Sequence, residues 1–430
     1  MGFVRTVKEI LRRALLARTS GLDLTKLDKI PKHLLYLLER DVLAPSSKLS
    51  ELRDTQPVAK VASLLGLEIW VVSGDAEVRE VLGAGKETYS NDIRPYLGGG
   101  RLGEVGVGGL GFTDPPEHTR LRKLLTPEFT IRRLNRLQPL IEEIVTGQLD
   151  EIAEAAAHGP VDLASTFAFP VPFRVICDLL GMEAERREHF SKLATARFDV
   201  TDGGVGAFDA ATEALDFLEE EVRRQRLDPG PGLIGQIVRD HGDEITDVEL
   251  AGLADGVFLG GLETSASMLA LGSAVLLERG DLWQRLRTEP DSVEAIVEEM
   301  LRLVTPVQFA FPRFLKHDTV VAGRTVPKGA VLVCQLPAAN RDPRATIGDT
   351  FDPEQATGSH LAFGHGFHRC VGAELGRMEL RKAFPMMAQR FPDMTLATPL
   401  AELPFRTSSI VFGVDEVLVW PTGAPVAVAL

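Results

Sequence analysis

Residues 363–372, FGHGFHRCVG, place two histidines and a cysteine among three glycines and two phenylalanines. Three interpretations are open for His365, His368 and Cys370: metal ligands, loop residues without chemistry, or one thiolate with supporting neighbours. Structural zinc sites usually combine two pairs of cysteine or histidine ligands at short spacings. No second pair lies near this segment, which disfavours zinc.

The remaining chemical interpretation is a cysteine thiolate on a haem iron. A single thiolate ligand leaves the opposite axial position open and pushes electron density that favours O–O cleavage. Glycines allow backbone N–H groups to approach the sulfur, and the following segment, VGAELGRMELRKAF, is predicted to be a helix. The N-terminus of that helix would lie beside Cys370 and lower the pKa of its thiol.

Residues 363–372 resemble the haem-binding loop of the cytochrome P450 family, F-G-x-G-x-H-x-C-x-G, at every fixed position. The resemblance implies a mainly α fold, in which a large helical body and a small β-sheet region hold haem b between a long central helix and the cysteine loop. It also implies that Cys370 binds the iron and that Phe363 and Gly364 contact the cofactor. Supporting motifs follow the family's order from about residue 110 to residue 390.

One supporting motif lies inside a long apolar helix, which a capping box at Thr246 opens and Gly280 ends. A glycine pair, an acid and an alcohol follow one another in its GGLETS segment, which is a poor composition for a buried helix interior. The resemblance implies that oxygen binds at a helix distortion beside Gly260, that Thr264 hydrogen-bonds this oxygen, and that Glu263 controls proton delivery.

A second motif, Glu299-Met-Leu-Arg302, resembles the family's E-x-x-R, whose two charges share one helix face. The resemblance implies a buried ion pair that holds the scaffold of the cysteine loop. Bacterial members commonly carry an arginine after an FDP-like sequence, but the corresponding run here, FDPEQATGSH, has none. This departure leaves one salt bridge to the ion pair in doubt.

The two propionates of haem need cationic or hydrogen-bonding partners. In DPPEHTRLRKLL, His118 and Arg122 match the family's histidine and the arginine four residues later. Arg313 and His368 match the other two propionate partners that the resemblance implies. Each of these residues by itself is compatible with an ordinary solvated position, and the interpretation depends on the four together.

Composition limits the other possibilities. The chain has 430 residues, is 44% hydrophobic and carries a formal charge of −14, which argues against general nucleic-acid binding. Three cysteines do not form a disulfide framework and indicate a reducing compartment, with Cys177 and Cys334 as small buried hydrophobes. We expect a cytoplasmic monomer with one domain over residues 1–430 and no transmembrane segment. Residues 1–60 should form a helical segment that packs on the domain or touches a membrane surface.

The function that the resemblance implies is a monooxygenase that inserts one oxygen atom of O2 into a C–H bond. Electrons should come from a separate ferredoxin and its NAD(P)H-dependent reductase, since no flavin or iron–sulfur domain is recognisable. A docking patch for the ferredoxin is expected at Arg120, Lys123, Arg369 and Arg381. The alternatives are a peroxygenase driven by H2O2, which Glu263 disfavours, and a non-catalytic haem sensor or ligand-binding protein.

The expected substrate is lipophilic, because the pocket positions that the resemblance assigns are mostly apolar. These positions are Leu259, Val307, Phe309, Phe311 and Ile410. Arg94, in a loop at about 90–112, could hold a carboxylate and favour a fatty acid over a terpenoid or steroid, although a solvated arginine is the simpler interpretation. The GVGGLG run at 106–111 has no strand before it, so a mobile loop is predicted rather than a dinucleotide site.

Overall fold

Helices dominate the part of the chain that the computed structural model describes, residues 32–64, 67–92, 109–198, 205–355, 359–407 and 409–423. Short 3₁₀ helices, among them Lys32–Leu37, Gly109–Phe112 and Gly366–His368, connect several of the elements. The α-helices are α1 (Ser47–Thr55), α2 (Asp75–Gly83), α3 (Glu117–Leu125), α4 (Ile131–Leu134), α5 (Gln138–Ala155), α6 (Pro170–Leu180), α7 (Ala184–Phe198), α8 (Val205–Leu227), α9 (Leu233–His241), α10 (Asp247–Glu278), α11 (Gly280–Thr288), α12 (Val293–Val304), α13 (Leu336–Ala339) and α14 (Ala373–Arg390).

The strands are short and form a small β region. They are β1 (Arg40–Asp41), β2 (Ala44–Pro45), β3 (Val58–Leu64), β4 (Leu67–Val72), β5 (Tyr89–Ser90), β6 (Val161–Asp162), β7 (Arg313–Leu315), β8 (Thr319–Val321), β9 (Arg324–Val326), β10 (Val331–Cys334), β11 (Thr395–Leu396) and β12 (Leu418–Trp420). The largest sheet has the order β3-β4-β10-β7-β5, and within it only the β4–β10 pair is parallel. The predicted mainly α fold with a small sheet region is confirmed.

The strands expected at 68–74 and 319–336 are present as β4 and β8–β10. The C-terminal segment is less regular than its composition predicts. Of the described part of that segment, only β12 pairs as a strand. Val411 forms an isolated β-bridge with Val307, and Val414 forms another with Phe405.

Helix α10 is the long apolar helix that the sequence predicts. Its capping box forms, because the backbone N–H of Glu249 donates to Thr246 Oγ1 (3.2 Å) and the Thr246 N–H donates to Glu249 Oε2 (2.9 Å). By length and composition α10 could cross a membrane, and our prediction of no transmembrane segment did not take this helix into account. However, 61% of its most apolar window is buried inside the protein. Its apolar surface therefore faces the core, against α6, α8 and α14 among others.

We had expected the N-terminal segment to be helical, but residues 32–60 are not helical throughout. They contain a 3₁₀ helix, β1, β2, α1 and the start of β3. Leu34, Leu37 and Leu49 pack with Val71 and Ala338, so these residues lie on the sheet region. Residues 1–31, the first part of the helical segment that we predicted over residues 1–60, are outside the described residues.

Candidate active site

The cysteine loop is closed by its own backbone. Cys370 N–H donates to Phe363 O (2.9 Å), and Arg369 N–H donates to Gly366 O (3.1 Å). Gly366 has φ +71° and lies against the end of α2, where an added Cβ would be 2.2 Å from Leu82 O. Only glycine fits this position, since it combines a left-handed backbone with a close backbone approach.

His365 and His368 have different surroundings, although both lie in the cysteine loop. The His365 ring packs at the end of α2, where a Cβ added to Gly83 would lie 3.4 Å from it. The His368 ring instead lies beside the His118 ring, with centroids 4.2 Å apart and the ring planes tilted by 54°. Within the ranges the structure describes, no group of three or more His, Cys, Asp or Glu side chains is arranged to hold a metal ion.

The side chain of Cys370 keeps accessible surface, although protein atoms lie densely around it. We had expected the end of α14 to lower the pKa of this thiol. Instead burial raises the pKa of Cys370, and this outweighs a hydrogen bond from the Gly372 backbone and the charges of Arg122, Arg369 and Arg377. A metal cation at the sulfur would reverse the balance, because a coordinated thiol is deprotonated.

The four residues predicted to hold propionates lie close to one another and to Cys370. His118 and Arg313 are 3% and 2% exposed, and Nε2 of both His118 and His368 is buried without a hydrogen-bond partner. Burial, with the charge of Arg122, lowers the pKa of His118 to about 4. Burial, with the charge of Arg313, lowers the pKa of His368 to about 3.

The cations of this cluster also lack anionic partners. Arg313 donates to Phe311 O (2.8 Å), and within the described ranges neither Arg313 nor Arg122 forms an ion pair. The nearby Asp114 carboxylate already accepts hydrogen bonds from Ser90 Oγ and Asn91 N. Buried polar atoms without partners are rare in native proteins, so the two histidine Nε2 atoms, together with two arginines that form no ion pair, indicate a missing partner. The cluster therefore fits a dianionic group such as haem with its two propionates.

On α10, the Gly260 position is open, since an added Cβ would meet nothing within 4 Å. Thr264 Oγ1 donates to Gly260 O at 2.6 Å. We had expected a helix distortion here, but α10 is α-helical without interruption from Asp247 to Glu278. The i−4 bond satisfies the threonine hydroxyl without breaking the helix, as such bonds do elsewhere.

The Glu263 carboxylate pairs with Arg406 rather than with the Thr264 hydroxyl. Arg406 Nη1 lies 3.2 Å from Glu263 Oε1. Burial raises the pKa of Glu263, and the charge of Arg406 opposes this rise. No local pattern relates Arg406 to Glu263, because 143 residues separate them.

The Glu299–Arg302 ion pair is present and fully buried. Arg302 Nε and Nη2 each lie 2.7 Å from a Glu299 carboxylate oxygen. The guanidinium also donates to three main-chain carbonyls in the segment before the cysteine loop: Asn340 O, Gly348 O and Thr350 O. Residues 351–360 are the segment that lacks the arginine common in bacterial members of the family. Within it, Asp352 N–H donates to Glu299 Oε1 at 3.0 Å. A backbone amide thus supplies a donor to the carboxylate.

A second buried ion pair, which sequence reasoning missed, links α12 directly to α14. Arg377 Nε lies 2.6 Å from Glu298 Oε1, and the guanidinium covers the ring of Phe363 at 4.6 Å from its centroid. His360 Nε2 is 3.2 Å from the second Glu298 oxygen. Burial alone would raise the pKa of Glu298, but hydrogen bonds and charges from His360 and Arg377 outweigh it and lower the pKa to about 2.

The predicted pocket residues differ in their surroundings. Phe311 and Ile410 keep 42% and 43% of their surface accessible, which is unusual for large apolar side chains. The Phe311 ring packs edge-on to Phe112 at 4.8 Å. Phe309 packs against the Leu34 cluster, and Val307 and Leu259 are half-buried. Arg94 and residues 106–108 lie outside the described residues.

Comparison with known proteins gives a consistent result. The model of the family described as Cytochrome P450 matches residues 206–398. Cytochrome P450 165C4 of Amycolatopsis orientalis is 37% identical over 82% of this chain and 87% of its own length. Mycinamicin IV hydroxylase/epoxidase of Micromonospora griseorubida is 33% identical over 88% and 96%. The structure of P450 StaH from glycopeptide antibiotic A47934 biosynthesis has a TM-score of 0.79 and 36% identity, over 90% and 99% of the two chains.

Proposed function

The chain belongs to the cytochrome P450 family and is a P450 monooxygenase. From this premise we propose that it inserts one oxygen atom of O2 into a C–H bond of a lipophilic natural-product precursor. The observation that carries the proposal is the cluster beside Cys370 in which Nε2 of His118 and of His368 is buried without a hydrogen-bond partner, and in which Arg122 and Arg313 form no ion pair within the described ranges. A thiolate and a receptor for two carboxylates are what a haem-thiolate enzyme requires.

Haem b, when bound, supplies the redox-active iron that activates O2. Cys370 would bind that iron, and His118, Arg122, Arg313 and His368 would hold the propionates. Phe363 and Gly364 would contact the cofactor, as the family motif implies. Gly260 would leave room for a bound group beside α10, because an added Cβ there would meet nothing within 4 Å.

Thr264 and Glu263 are the residues that we propose for handling protons. Thr264 Oγ1 gives its hydrogen to Gly260 O at 2.6 Å, so its oxygen lone pairs are free to accept a hydrogen bond from another donor. Glu263 is the adjacent acid, and burial raises its pKa, which favours proton exchange nearer neutral pH. This pair supports O2-dependent turnover over the peroxygenase alternative. The comparison of turnover with H2O2 and with redox partners tests that preference.

We propose a separate ferredoxin as electron donor, which docks near the cysteine loop. Two of the four expected docking residues are already engaged: Arg120 contacts the Glu249 carboxylate, and Arg381 lies 3.2 Å from Glu294. Lys123 and Arg369 are exposed, and within the described ranges neither forms an ion pair. Lys123→Glu should therefore slow reduction by ferredoxin at low salt, whereas Lys192→Glu, at an exposed lysine of α7, should not. Equal rates for the two variants would refute the docking site.

The names of the relatives narrow the substrate proposal. One hydroxylates or epoxidises mycinamicin IV, and another belongs to glycopeptide antibiotic biosynthesis. We therefore favour a bulky antibiotic precursor, in secondary metabolism, over the fatty acid, terpenoid or steroid that the sequence first indicated. The accessible apolar surfaces of Phe311 and Ile410 support a lipophilic ligand. Titration with a panel of macrolide aglycones, aromatic peptides and fatty acids, followed by the haem spin-state change, would rank these classes.

The haem-thiolate assignment itself has a direct test. The reduced protein with CO should give the red-shifted absorption band of thiolate ligation, and Cys370→Ala should abolish it. Cys177→Ala is the matched control, because that cysteine is buried in α6. A band that survives in Cys370→Ala would refute the assignment.

A further inference from the structure

Two of the segments that the family resemblance assigns to the substrate pocket are neighbours in the structure. They are residues 306–311, which follow α12, and residues 409–412 near the C-terminus. Gln308 N–H donates to Ile410 O (2.9 Å), and an isolated β-bridge forms at the next pair of residues. Phe311 and Ile410, whose apolar surfaces stay accessible, belong one to each segment. The shape of this apolar surface therefore depends on how the two segments are held.

The side chain of Gln308 joins these segments to the N-terminal part of the chain. It is fully buried. Its Nε2 donates to Ser409 O at 2.9 Å and to Leu38 O at 2.8 Å. Its Oε1 accepts a hydrogen bond from Arg40 Nε at 3.1 Å. Because the arginine can only donate, it fixes which end of the amide is the acceptor, and thereby directs the two N–H groups to the two carbonyls.

Arg40, in β1, contacts both segments from one position. Its Nη1 donates to Val304 O and its Nη2 to Thr305 O, each at 2.7 Å. These carbonyls lie at the end of α12, where a helix leaves carbonyl groups without partners and carries a partial negative charge. The guanidinium carbon also lies 4.2 Å from the centroid of the Phe412 ring, which is a cation–π distance. Arg40 therefore connects the end of α12, Gln308 and the C-terminal segment.

Within the described ranges, carbonyl and amide oxygens and an aromatic ring surround this guanidinium, and no carboxylate forms an ion pair with it. The planar fork of an arginine holds several acceptors in fixed directions, which an ammonium group cannot do. Removal of the fork would free the Gln308 amide and two carbonyls of α12 together. The bond from Gln308 N–H to Ile410 O would remain, so the two segments would stay neighbours without a fixed spacing.

We propose that Arg40 is a positioning residue for substrate selection. Through Gln308 and Phe412 it fixes the spacing of the two segments, and with it the shape of the apolar surface that Phe311 and Ile410 form. The inference rests on the proposed function, because it takes this surface as part of the wall of the substrate site. A bulky lipophilic ligand depends on such a wall more than a small ligand does, since a wall already held in place need not be ordered on binding.

Two ligands of different size test the proposal on the holoenzyme by absorption titration. Imidazole is small, whereas miconazole carries the same ring with dichlorophenyl groups added, so miconazole also reports on an apolar wall. Arg40→Gln should raise the Kd of miconazole by roughly tenfold, the scale of ordering one or two side chains on binding, and should leave the Kd of imidazole unchanged. Arg40→Lys, which keeps a cation beside Phe412, should recover part of the affinity.

Arg239→Gln is the matched control. The Arg239 guanidinium also donates to two main-chain carbonyls and to a glutamine, but all three partners lie within ten residues of it, in α9 and the turn before α9. This variant should change the Kd of neither ligand.

A second readout follows the two segments themselves. Hydrogen–deuterium exchange, measured by mass spectrometry of peptides, should be at least about tenfold faster at residues 306–311 and 409–412 in Arg40→Gln than in the wild type. Exchange in the cysteine loop at 363–372 and the CO-difference band should stay unchanged, since Arg40 does not contact that loop.

Ile410→Ala separates this inference from the proposed function. If Ile410→Ala raises the Kd of miconazole while Arg40→Gln changes neither that Kd nor the exchange rates, the inference alone is overturned. An equal loss of affinity for both ligands in Arg40→Gln, with a weakened CO-difference band, would indicate a general loss of structure and would also overturn it. If miconazole binds the wild type no more tightly than imidazole does, or if Ile410→Ala leaves its Kd unchanged, the lipophilic site itself is refuted, and the role of Arg40 with it.

Discussion

The tight contact between the cysteine loop and α2 predicts that Gly366→Ala is far more damaging than a glycine substitution with similar backbone geometry elsewhere. Gly366 has φ +71°, and Gly323 in the β8–β9 turn has φ +75°. Alanine at either position adopts a left-handed conformation, which costs about 1–2 kcal/mol. The two differ in space, because a Cβ on Gly366 would lie 2.2 Å from Leu82 O, whereas one on Gly323 meets nothing within 4 Å.

The expected loss of unfolding free energy follows from that contact. Non-bonded heavy atoms settle at about 3.5 Å, so the Leu82 carbonyl must retreat by roughly 1 Å or the cysteine loop must move. Forced overpacking of this kind typically costs a further 1–3 kcal/mol or so. We therefore expect Gly366→Ala to lose about 2–5 kcal/mol of unfolding free energy and Gly323→Ala about 1–2 kcal/mol.

Urea unfolding of the two variants, followed by circular dichroism, measures this difference. Haem retention and the CO-difference band provide an independent readout of the loop. Gly366→Ala should lose part of the red-shifted band, because a displaced loop moves Cys370, while Gly323→Ala should keep all of it. Equal destabilisation of the two variants, with an intact band in both, would refute the argument from contact.

Three further predictions concern buried polar side chains. Arg302→Lys should cost about 3 kcal/mol or more of unfolding free energy, since the lysine cannot replace the guanidinium fork. Arg287→Lys, at an exposed arginine of α11, should cost less than about 0.5 kcal/mol in the same urea assay. The pKa of Glu298 is depressed to about 2, so its stabilisation, about 3 kcal/mol, is fully present above pH 4.5 and is lost as pH falls towards 2. Glu298→Gln should flatten that part of the stability–pH profile, and an unchanged slope would contradict this. His118→Ala should weaken haem retention in apomyoglobin competition, whereas His158→Ala, at an exposed histidine, should not.

The sequence predicts those parts of the site whose partners are close along the chain. Glu299 and Arg302 are three residues apart on one helix, so their pairing follows from helix geometry. Arg377 and Glu298 lie 79 residues apart, and Arg406 and Glu263 lie 143 apart, and no local pattern relates either pair. The predicted direction of the Cys370 pKa shift was wrong for a related reason. A helix N-terminus can be predicted from sequence, but the dense surroundings of the thiol arise from tertiary packing.

An acidic chain that must bind a dianionic cofactor beside a thiolate needs cations that no carboxylate neutralises. With a formal charge of −14, chance contacts would tend to pair every arginine. Near the cysteine loop the acids have other partners instead: Glu298 binds Arg377, and Asp114 accepts hydrogen bonds from Ser90 and Asn91. Arg122 and Arg313 therefore keep their charge available for an anion. The ion pairs and hydrogen bonds around the loop thus do more than hold its scaffold, because by engaging these carboxylates they keep the proposed propionate site positive.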